Sequence, residues 1–279
     1  MTKVYVPTWN SIATLEKCLK SIEKAVPNAE ITIIDRASTD GTRQIAEKYG
    51  EYVVFEGNLG EARTLICKLA AKQSDMFLMV DSDVELPPNF LSIAKEFMTE
   101  KVGAVFGVKV AEAEKARSYE IYAHALESTV YPVVNGKRMD TACTLFRPEA
   151  TNGFHCNCFS FEDYALGKYI NSKGFKHVRI CVVCSHLGFD DFRVYLAHQR
   201  WSGAGVRYIR FKAIWQSLVS LIVMPLRSPC KLTTFQVRLH YTIGFLLSRW
   251  LLEYERKPRI HPNWRQQIGR INFKVTVKA

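Results

Sequence analysis

Met79-Val80-Asp81-Ser82-Asp83-Val84-Glu85 is led by an apolar run that begins at Met76. If that run is a strand, side chains two apart point the same way, and Asp81 and Asp83 emerge together at its carboxyl end. In an open α/β sheet that end is where ligands bind. Two hard oxygen donors there suit Mg²⁺ or Mn²⁺ and, through the ion, a diphosphate. An ordinary acidic loop can also contain Asp-x-Asp, so the meaning of the pair depends on its surroundings.

Upstream, Lys3-Val4-Tyr5-Val6 reads as a first strand. Pro7, which lacks an N–H, should end it. Ser11 to Ala25 has helical spacing, with Ile12, Leu15, Leu19 and Ile22 on one face. Ile31 to Ile34 is a second buried strand. It ends in the polar turn Asp35-Arg36-Ala37-Ser38-Thr39-Asp40-Gly41-Thr42. There Thr39 or Asp40 is placed to cap a helix from Arg43 to Tyr49. Tyr52 to Phe55 makes a third strand. Gly57-Asn58-Leu59-Gly60 reads as a loop open to close approach of a ligand. Arg63, in the first turn of a helix from Glu61 to Lys72, stands where a cation can face a phosphate. Pro87-Pro88 opens a helix over Asn89 to Met98. This short-linked alternation predicts an α/β fold with a mostly parallel, doubly wound sheet. Pro7/Thr8, Asp35 and Asp81/Asp83 then lie along one edge.

Downstream, Gly103 to Val110, Thr141 to Phe146 and Val178 to Cys184 read as strands, and Ala111 to Val130 as a helix. Asn135-Gly136 is a hairpin-type turn. Glu162-Asp163 precedes a helix that runs to Asn171 and stops at Gly174. Acids at a helix start are favourable for dipole reasons alone. Ser185-His186 stands at the end of the last strand.

The basic excess is confined to one end. Residues 201–279 carry 14 Lys and Arg against two Asp and Glu, and the first 200 carry 24 against 25. Ala213 to Leu226 and Tyr241 to Leu252 are apolar, yet both fall short of the ~20 residues of a spanning helix. Apolar helices bordered by Arg207, Arg210, Lys212, Arg227, Lys231 and Arg238 suit an anionic membrane surface. The tail from Gln266 to Ala279 reads as basic, with a strand over Ile271 to Val277. We therefore expect a domain over 1–205 and a membrane-proximal helical extension over 206–279. No signal peptide opens the chain, which places the expected site on the cytoplasmic face of a membrane.

Six of these motifs together resemble the family 2 glycosyltransferases of the GT-A fold. They are Val6-Pro7-Thr8-Trp9-Asn10, Asp35-x-x-Ser38-Thr39-Asp40-Gly41-Thr42, Asn58-x-Gly60, Asp81-Ser82-Asp83, Glu162-Asp163-x-x-Leu166 and His186. The resemblance covers about residues 3–190. It implies an inverting sugar transfer from a nucleoside diphosphate donor, dependent on Mn²⁺ or Mg²⁺. Carried over, Asp83 holds the metal, Asp81 contacts the ribose or supports the metal, and His186 completes the metal shell. Pro7, Thr8 and Asp35 match the nucleoside pocket, Asn10, Asn58, Gly60 and Ser82 fall in the donor-binding motifs, and Arg63, in the helix that follows Gly60, is expected to join them at the donor phosphate. Asp163 matches the catalytic base, with Glu162 supporting it. The chain departs from the pattern at Arg36, where many members carry Asp or Asn. An Arg cannot accept the hydrogen bond that the imide N–H of uracil offers, so GDP-linked or other donors stay open. The acceptor implied is a lipid phosphate or a glycan.

Other readings compete for the same chain. A zinc site at Cys181 and Cys184 is disfavoured because in a strand the two face opposite sides. Nucleic-acid binding is disfavoured because the C-terminal cations are interleaved with apolar runs. A non-catalytic sugar-nucleotide-binding or membrane-surface protein of the same fold is the alternative function. Oligomeric state is not legible.

Overall fold

The computed structural model describes residues 2–72, 76–127, 131–136, 139–158, 162–205 and 211–246. They form two compact units. The first comprises the described residues up to Glu112 and between Ala123 and Gly188. The second comprises Ala113–Tyr122 and the described residues from Phe189 onward.

The first unit opens with β1 (Lys3–Thr8), α1 (Leu15–Ala25), β2 (Glu30–Asp35), α2 (Thr42–Ala46), β3 (Glu51–Val54), α3 (Leu59–Ala70) and β4 (Phe77–Val80). Then come β5 (Val84–Glu85), α4 (Phe90–Glu96), β6 (Val102–Ala111), α5 (Glu114–Glu127), β7 (Val133–Val134), β8 (Cys143–Phe146), α6 (Pro148–Thr151), α7 (Glu162–Ser172) and β9 (Lys176–His186). The strands make one sheet in the order β3-β2-β1-β4-β8-β6-β9-β5, with β7 on β9. Pairs among β3, β2, β1 and β4 are parallel. Beyond β4 the sheet is mixed: β8 is antiparallel to β4 and β6, β6 is parallel to β9, and β5 and β7 are antiparallel to β9. The expectation of a mostly parallel sheet therefore holds for the first half alone.

Alternate residues of each strand feed two cores. Val4, Val6, Leu78 and Val80 pack with Leu15, Leu19 and Phe90. Tyr5, Phe77 and Met79 pack with Leu65, Ile66, Leu166 and Ile170. Helices α1 and α4 thus cover one face, and α3 and α7 the other.

Several local expectations shift. Pro7 does not end β1 but pairs with Ile34. The Thr8 carbonyl accepts from Arg36 N–H, so Pro7, one residue back, turns its missing donor toward β4, whose pairing with β1 has already ended at Tyr5/Met79. The first helix starts four residues late, and Ile12 is exposed instead of on its buried face. Gly41, at φ 96°, occupies the cap position of α2, and Asp40 Oδ1 still accepts the Thr42 N–H at 3.0 Å.

In the second unit, α8 (Phe192–Gly205), α9 (Phe211–Arg227) and α10 (Lys231–Leu246) follow one another. Helix α8 packs on α10, so the division falls at Gly188 and not at the expected 205. Tyr122 Oη donates to Met224 O at 3.0 Å, which ties the start of α5 to α9. The α9–α10 corner is closed by Ser228 and Thr234, whose hydroxyls are 2.7 Å apart. Leu218, Val219, Ile222 and Leu226, on one side of α9, are exposed. No helix among the described residues is long and apolar enough to cross a membrane. The expected tail strand, the end of the second apolar stretch and Phe159-Ser160-Phe161 lie outside the described residues.

Candidate active site

The parallel strand ends build one side of the site. Asp35, fully buried at the end of β2, accepts from Thr8 Oγ1 at 3.0 Å, Ser38 Oγ at 2.6 Å, Ser38 N–H at 2.8 Å and Tyr52 Oη at 2.7 Å. Burial first, then this carboxylate, raises the Tyr52 phenol well above its ordinary pKa. Asp35 therefore braces the end of the sheet with all these bonds. Asn10 is exposed, and its Oδ1 accepts Thr39 N–H at 3.0 Å. Arg36 stacks on Trp9. Pro7 is buried within β1, one residue before its end.

Asp81 and Asp83 do not emerge side by side from a strand. Strand β4 stops at Val80, and Val84 N–H donates to Asp81 O to close a turn. The turn sends the two carboxylates to different partners. Asp81 Oδ1 is ion-paired with Arg63 Nη2 of α3. Asp83 Oδ2 lies 3.3 Å from His186 Nε2. The antiparallel pairing Val84↔His186 brings that imidazole there across 103 residues of sequence. Ser82 Oγ lies 2.8 Å from Ser11 Oγ, which joins this turn to the loop after β1.

Arg63 is not a surface cation reaching for phosphate. It is 1% exposed. Burial opposes its charge, but Asp81, Glu162 and Asp140 outweigh that and raise its pKa. Its Nε and Nη1 have no hydrogen-bond partner among the described residues. Glu162 is also buried, in the first turn of α7. Burial, then Asp163, pushes its pKa up to about 7, against the pull of Arg63. Asp163 is half-buried, and its Oδ1 accepts Tyr164 N–H at 2.6 Å.

Asn58 and Gly60 belong to the frame. Asn58 caps α3: its Oδ1 accepts Glu61 N–H at 3.0 Å, Glu61 answers at Asn58 N–H, and Asn58 Nδ2 donates to Asn157 Oδ1 at 2.6 Å. A Cβ on Gly60 would stand 2.8 Å from Cys158 O and Sγ. The close approach expected at Gly60 is thus made by the chain's own Cys156-Asn157-Cys158 segment, whose two cysteines form a disulfide. Cys181 is exposed and Cys184 buried, as opposite faces of a strand require.

Asp140 was not singled out from the sequence. Its carboxylate accepts Ala142 N–H at 2.7 Å and lies 3.9 Å from Lys109 Nζ. Partial burial raises its pKa, but Lys109, that bond, His186 and Arg63 more than offset this, so the net shift is downward. It precedes β8, and because β8 runs antiparallel to β4, its start and not its end lies at the ligand edge. Asp81 N–H donates to Ala142 O there. The signal was an acid before a strand, which counts only once the direction of β8 is known.

This arrangement has relatives. The model of a family described as glycosyl transferase family 2 matches residues 3–169, more than half of the sequence. The chain belongs to that family. It is 30% identical over 139 residues to the putative teichuronic acid biosynthesis glycosyltransferase TuaG of Bacillus subtilis, across 47% of this chain and 55% of that protein. Protein RfbJ of Shigella flexneri is 30% identical over 80 residues, across 29% of this chain and 62% of that one. The family 2 chain therefore spans less than two thirds of the length of either relative. Among solved structures, the mannosyltransferase PcManGT from Pyrobaculum calidifontis, in complex with GDP-Man and Mn²⁺, superposes with a TM-score of 0.57 at 18% identity. That match covers 96% of this chain and 78% of that one. Glucosyl-3-phosphoglycerate synthase from Mycobacterium tuberculosis, in complex with Mn²⁺, UDP and glucosyl-3-phosphoglycerate, gives 0.52 at 18% identity, over 74% and 78%. These likenesses establish the GT-A fold.

Among the described residues no group of three or more His, Cys, Asp and Glu is arranged to hold a metal. Two donors are nevertheless suitably close. Ligand atoms bound side by side on an octahedral ion stand about 3 Å apart, and Asp83 Oδ2 and His186 Nε2 are 3.3 Å apart. A hard oxygen with an imidazole suits Mn²⁺, with phosphates and water filling the other positions. Asp81 fits that role less well, because Arg63 already holds one of its oxygens.

Proposed function

We propose that this chain is an inverting, metal-dependent glycosyltransferase that moves a sugar from a nucleoside diphosphate donor to an acceptor oxygen. The observation that carries this reading is the pairing of Asp83 with His186 beside the Arg63–Asp81 ion pair, at the ligand-binding edge of a family 2 fold. Asp83 and His186 would hold Mn²⁺ or Mg²⁺, which when bound neutralises charge on the departing diphosphate. Asp81, fixed by Arg63, faces the ribose side. Pro7, Thr8, Asn10, Asp35, Arg36 and Ser82 frame the nucleoside.

The acceptor oxygen attacks the anomeric carbon from the face opposite the diphosphate. A new C–O bond forms, the bond to the β-phosphate oxygen breaks, and its electron pair leaves with the diphosphate. Asp163 takes the proton of an acceptor hydroxyl. Glu162, beside it, has its own pKa pushed up to about 7 by burial first and by the Asp163 charge next. For a phosphate acceptor, already ionised, Asp163 positions the oxygen.

The second unit supports a place at an anionic membrane surface. Ile222 and Leu226 are 66% and 71% exposed on α9, Arg227 and Lys231 flank the following turn, and Arg238 lies two turns into α10, where it donates to Ser220 Oγ. Apolar insertion beside cations suits lipid headgroups, and such a surface also carries lipid phosphates, one of the two acceptor classes.

The test is turnover. With Mn²⁺, release of nucleoside diphosphate from one donor in a panel, and a product anomer opposite to the donor's, are expected. Binding without turnover in the presence of lipid-phosphate and glycan acceptors would favour a non-catalytic sugar-nucleotide-binding protein. Co-sedimentation with anionic but not zwitterionic vesicles, lost in Ile222→Glu, is expected of the membrane reading.

A further inference from the structure

Two loops meet beyond the ends of β1 and β2. Arg36 Cζ lies 4.8 Å from the centre of the Trp9 ring. Trp9 is 39% exposed and Arg36 half-buried. The Arg36 backbone N–H donates to Thr8 O at 2.9 Å. Among the described residues its guanidinium makes no hydrogen bond and no ion pair. Glu61 is close enough to favour its charge but does not bond to it. A half-buried guanidinium with no acceptor among the described residues keeps its N–H groups free for one that arrives.

The backbone that presents the stack is held in an unusual shape. Asn10 follows Trp9 at φ 49°, and Ala37 follows Arg36 at φ 50°. Asn tolerates that left-handed region, but for alanine it is unfavourable and persists only where surrounding bonds impose it. Those bonds are present. Asn10 N–H donates to Ser38 Oγ at 2.7 Å, and Thr39 N–H donates to Asn10 Oδ1 at 3.0 Å. Ser38 is itself held by Asp35 through its N–H and its hydroxyl. Each loop is thus braced against the other, with the Trp9–Arg36 stack between them.

We propose that Trp9 and Arg36 form the nucleobase reader of the donor site, and that Arg36 selects a base with two adjacent hydrogen-bond acceptors. This rests on the donor-site reading above. A guanidinium offers a planar fork of N–H groups. Guanine matches it with O6 and N7 side by side, the commonest specific arginine contact to a base. Cytosine matches it with O2 and N3. Uracil and thymine place an N–H between their carbonyls, so the fork meets a donor. Adenine sets an amino donor beside N7. The donor is therefore a guanine or cytosine nucleotide, and the Arg36 position discriminates against UDP- and dTDP-sugars.

Titration calorimetry on the full chain with Mn²⁺ tests this with GDP, CDP, UDP, dTDP and ADP. GDP or CDP should bind about tenfold or more tightly than UDP and dTDP, and the tighter of the two names the base. Arg36→Ala should shrink that preference to less than about threefold while lowering the melting temperature of the free protein only slightly, since among the described residues the guanidinium makes no hydrogen bond and the fold loses only its stack on Trp9. Arg36→Lys, which keeps the charge and loses the fork, should shrink it too. A preference that survives Arg36→Lys would show that charge alone suffices and would overturn the proposal. UDP or dTDP bound as tightly as GDP and CDP would also overturn it, leaving the donor site standing. Metal-dependent binding of no nucleotide would remove the donor site itself, and the reader with it.

Discussion

In the parallel half of the sheet the acidic strand end, Asp35, is fully buried and accepts four hydrogen bonds from Thr8, Ser38 and Tyr52. In the mixed half, Asp83 keeps a side chain 40% exposed and lies against His186. Both are carboxylates at the ligand edge, and the family resemblance gives both to the donor. The difference separates a carboxylate taken up by the frame from one left accessible for the chemistry we propose. Arg63 and Asp81 stand between these roles, since each partly satisfies the other.

The largest effect should come from the exposed half. Asp83→Ala is expected to lower turnover at least about a hundredfold and to abolish the Mn²⁺ dependence of nucleotide binding. The melting transition should stay within about 0.5 kcal/mol of wild type. Asp35→Ala should do the reverse in the stability measurement. It strips the acceptor from buried Thr8 and from Tyr52 and is expected to cost about 3 kcal/mol in denaturant unfolding. If the two variants destabilise equally, the contrast between frame and chemistry breaks.

Glu162 sharpens the contrast through pH. Its folded pKa is raised to about 7 from an ordinary 4.5, by burial first and Asp163 next. The folded state therefore holds a proton that the unfolded state releases, and stability falls as pH rises from about 4.5 to about 7. Glu162→Gln removes that loss. Relative to wild type, its melting temperature should be unchanged at pH 4 and higher at pH 8, and its turnover should fall. A stability difference that narrows as pH rises would contradict the raised pKa. The smallest effect is expected at Asn58, which the sequence placed in the donor site and the structure uses as a helix cap. Asn58→Ala should cost about 1 kcal/mol and leave nucleotide affinity within about twofold. A larger loss of affinity would return Asn58 to the site.

The parallel half was legible because its order is local. Each strand from β1 to β3 is followed by a short turn and a helix, and the apolar spacing changes from two to nearly four at each junction. Capping chemistry was partly legible: Asp40 and Asn58 both engage helix N-termini, although Asn58 reads in the sequence as a loop residue. The mixed half was hidden because strand direction leaves no mark in a short apolar run. Asp140 was therefore passed over. Asp81 and Asp83 looked alike until the turn after Val80 separated them.

By itself the sequence determined the doubly wound frame, the edge where the carboxylates gather and the family resemblance, because periodicity and turn residues act over a few neighbours. Only the tertiary structure decided what each charge does. Arg63 is spent on Asp81, Asp35 on the loops, and Glu162 is driven toward neutrality, because burial and charge pairing depend on groups brought together from distant parts of the chain. Arg36 shows both: its identity was plain in the sequence, but the stacking of its guanidinium on Trp9, with no hydrogen-bond acceptor for that group among the described residues, emerged only when two loops met.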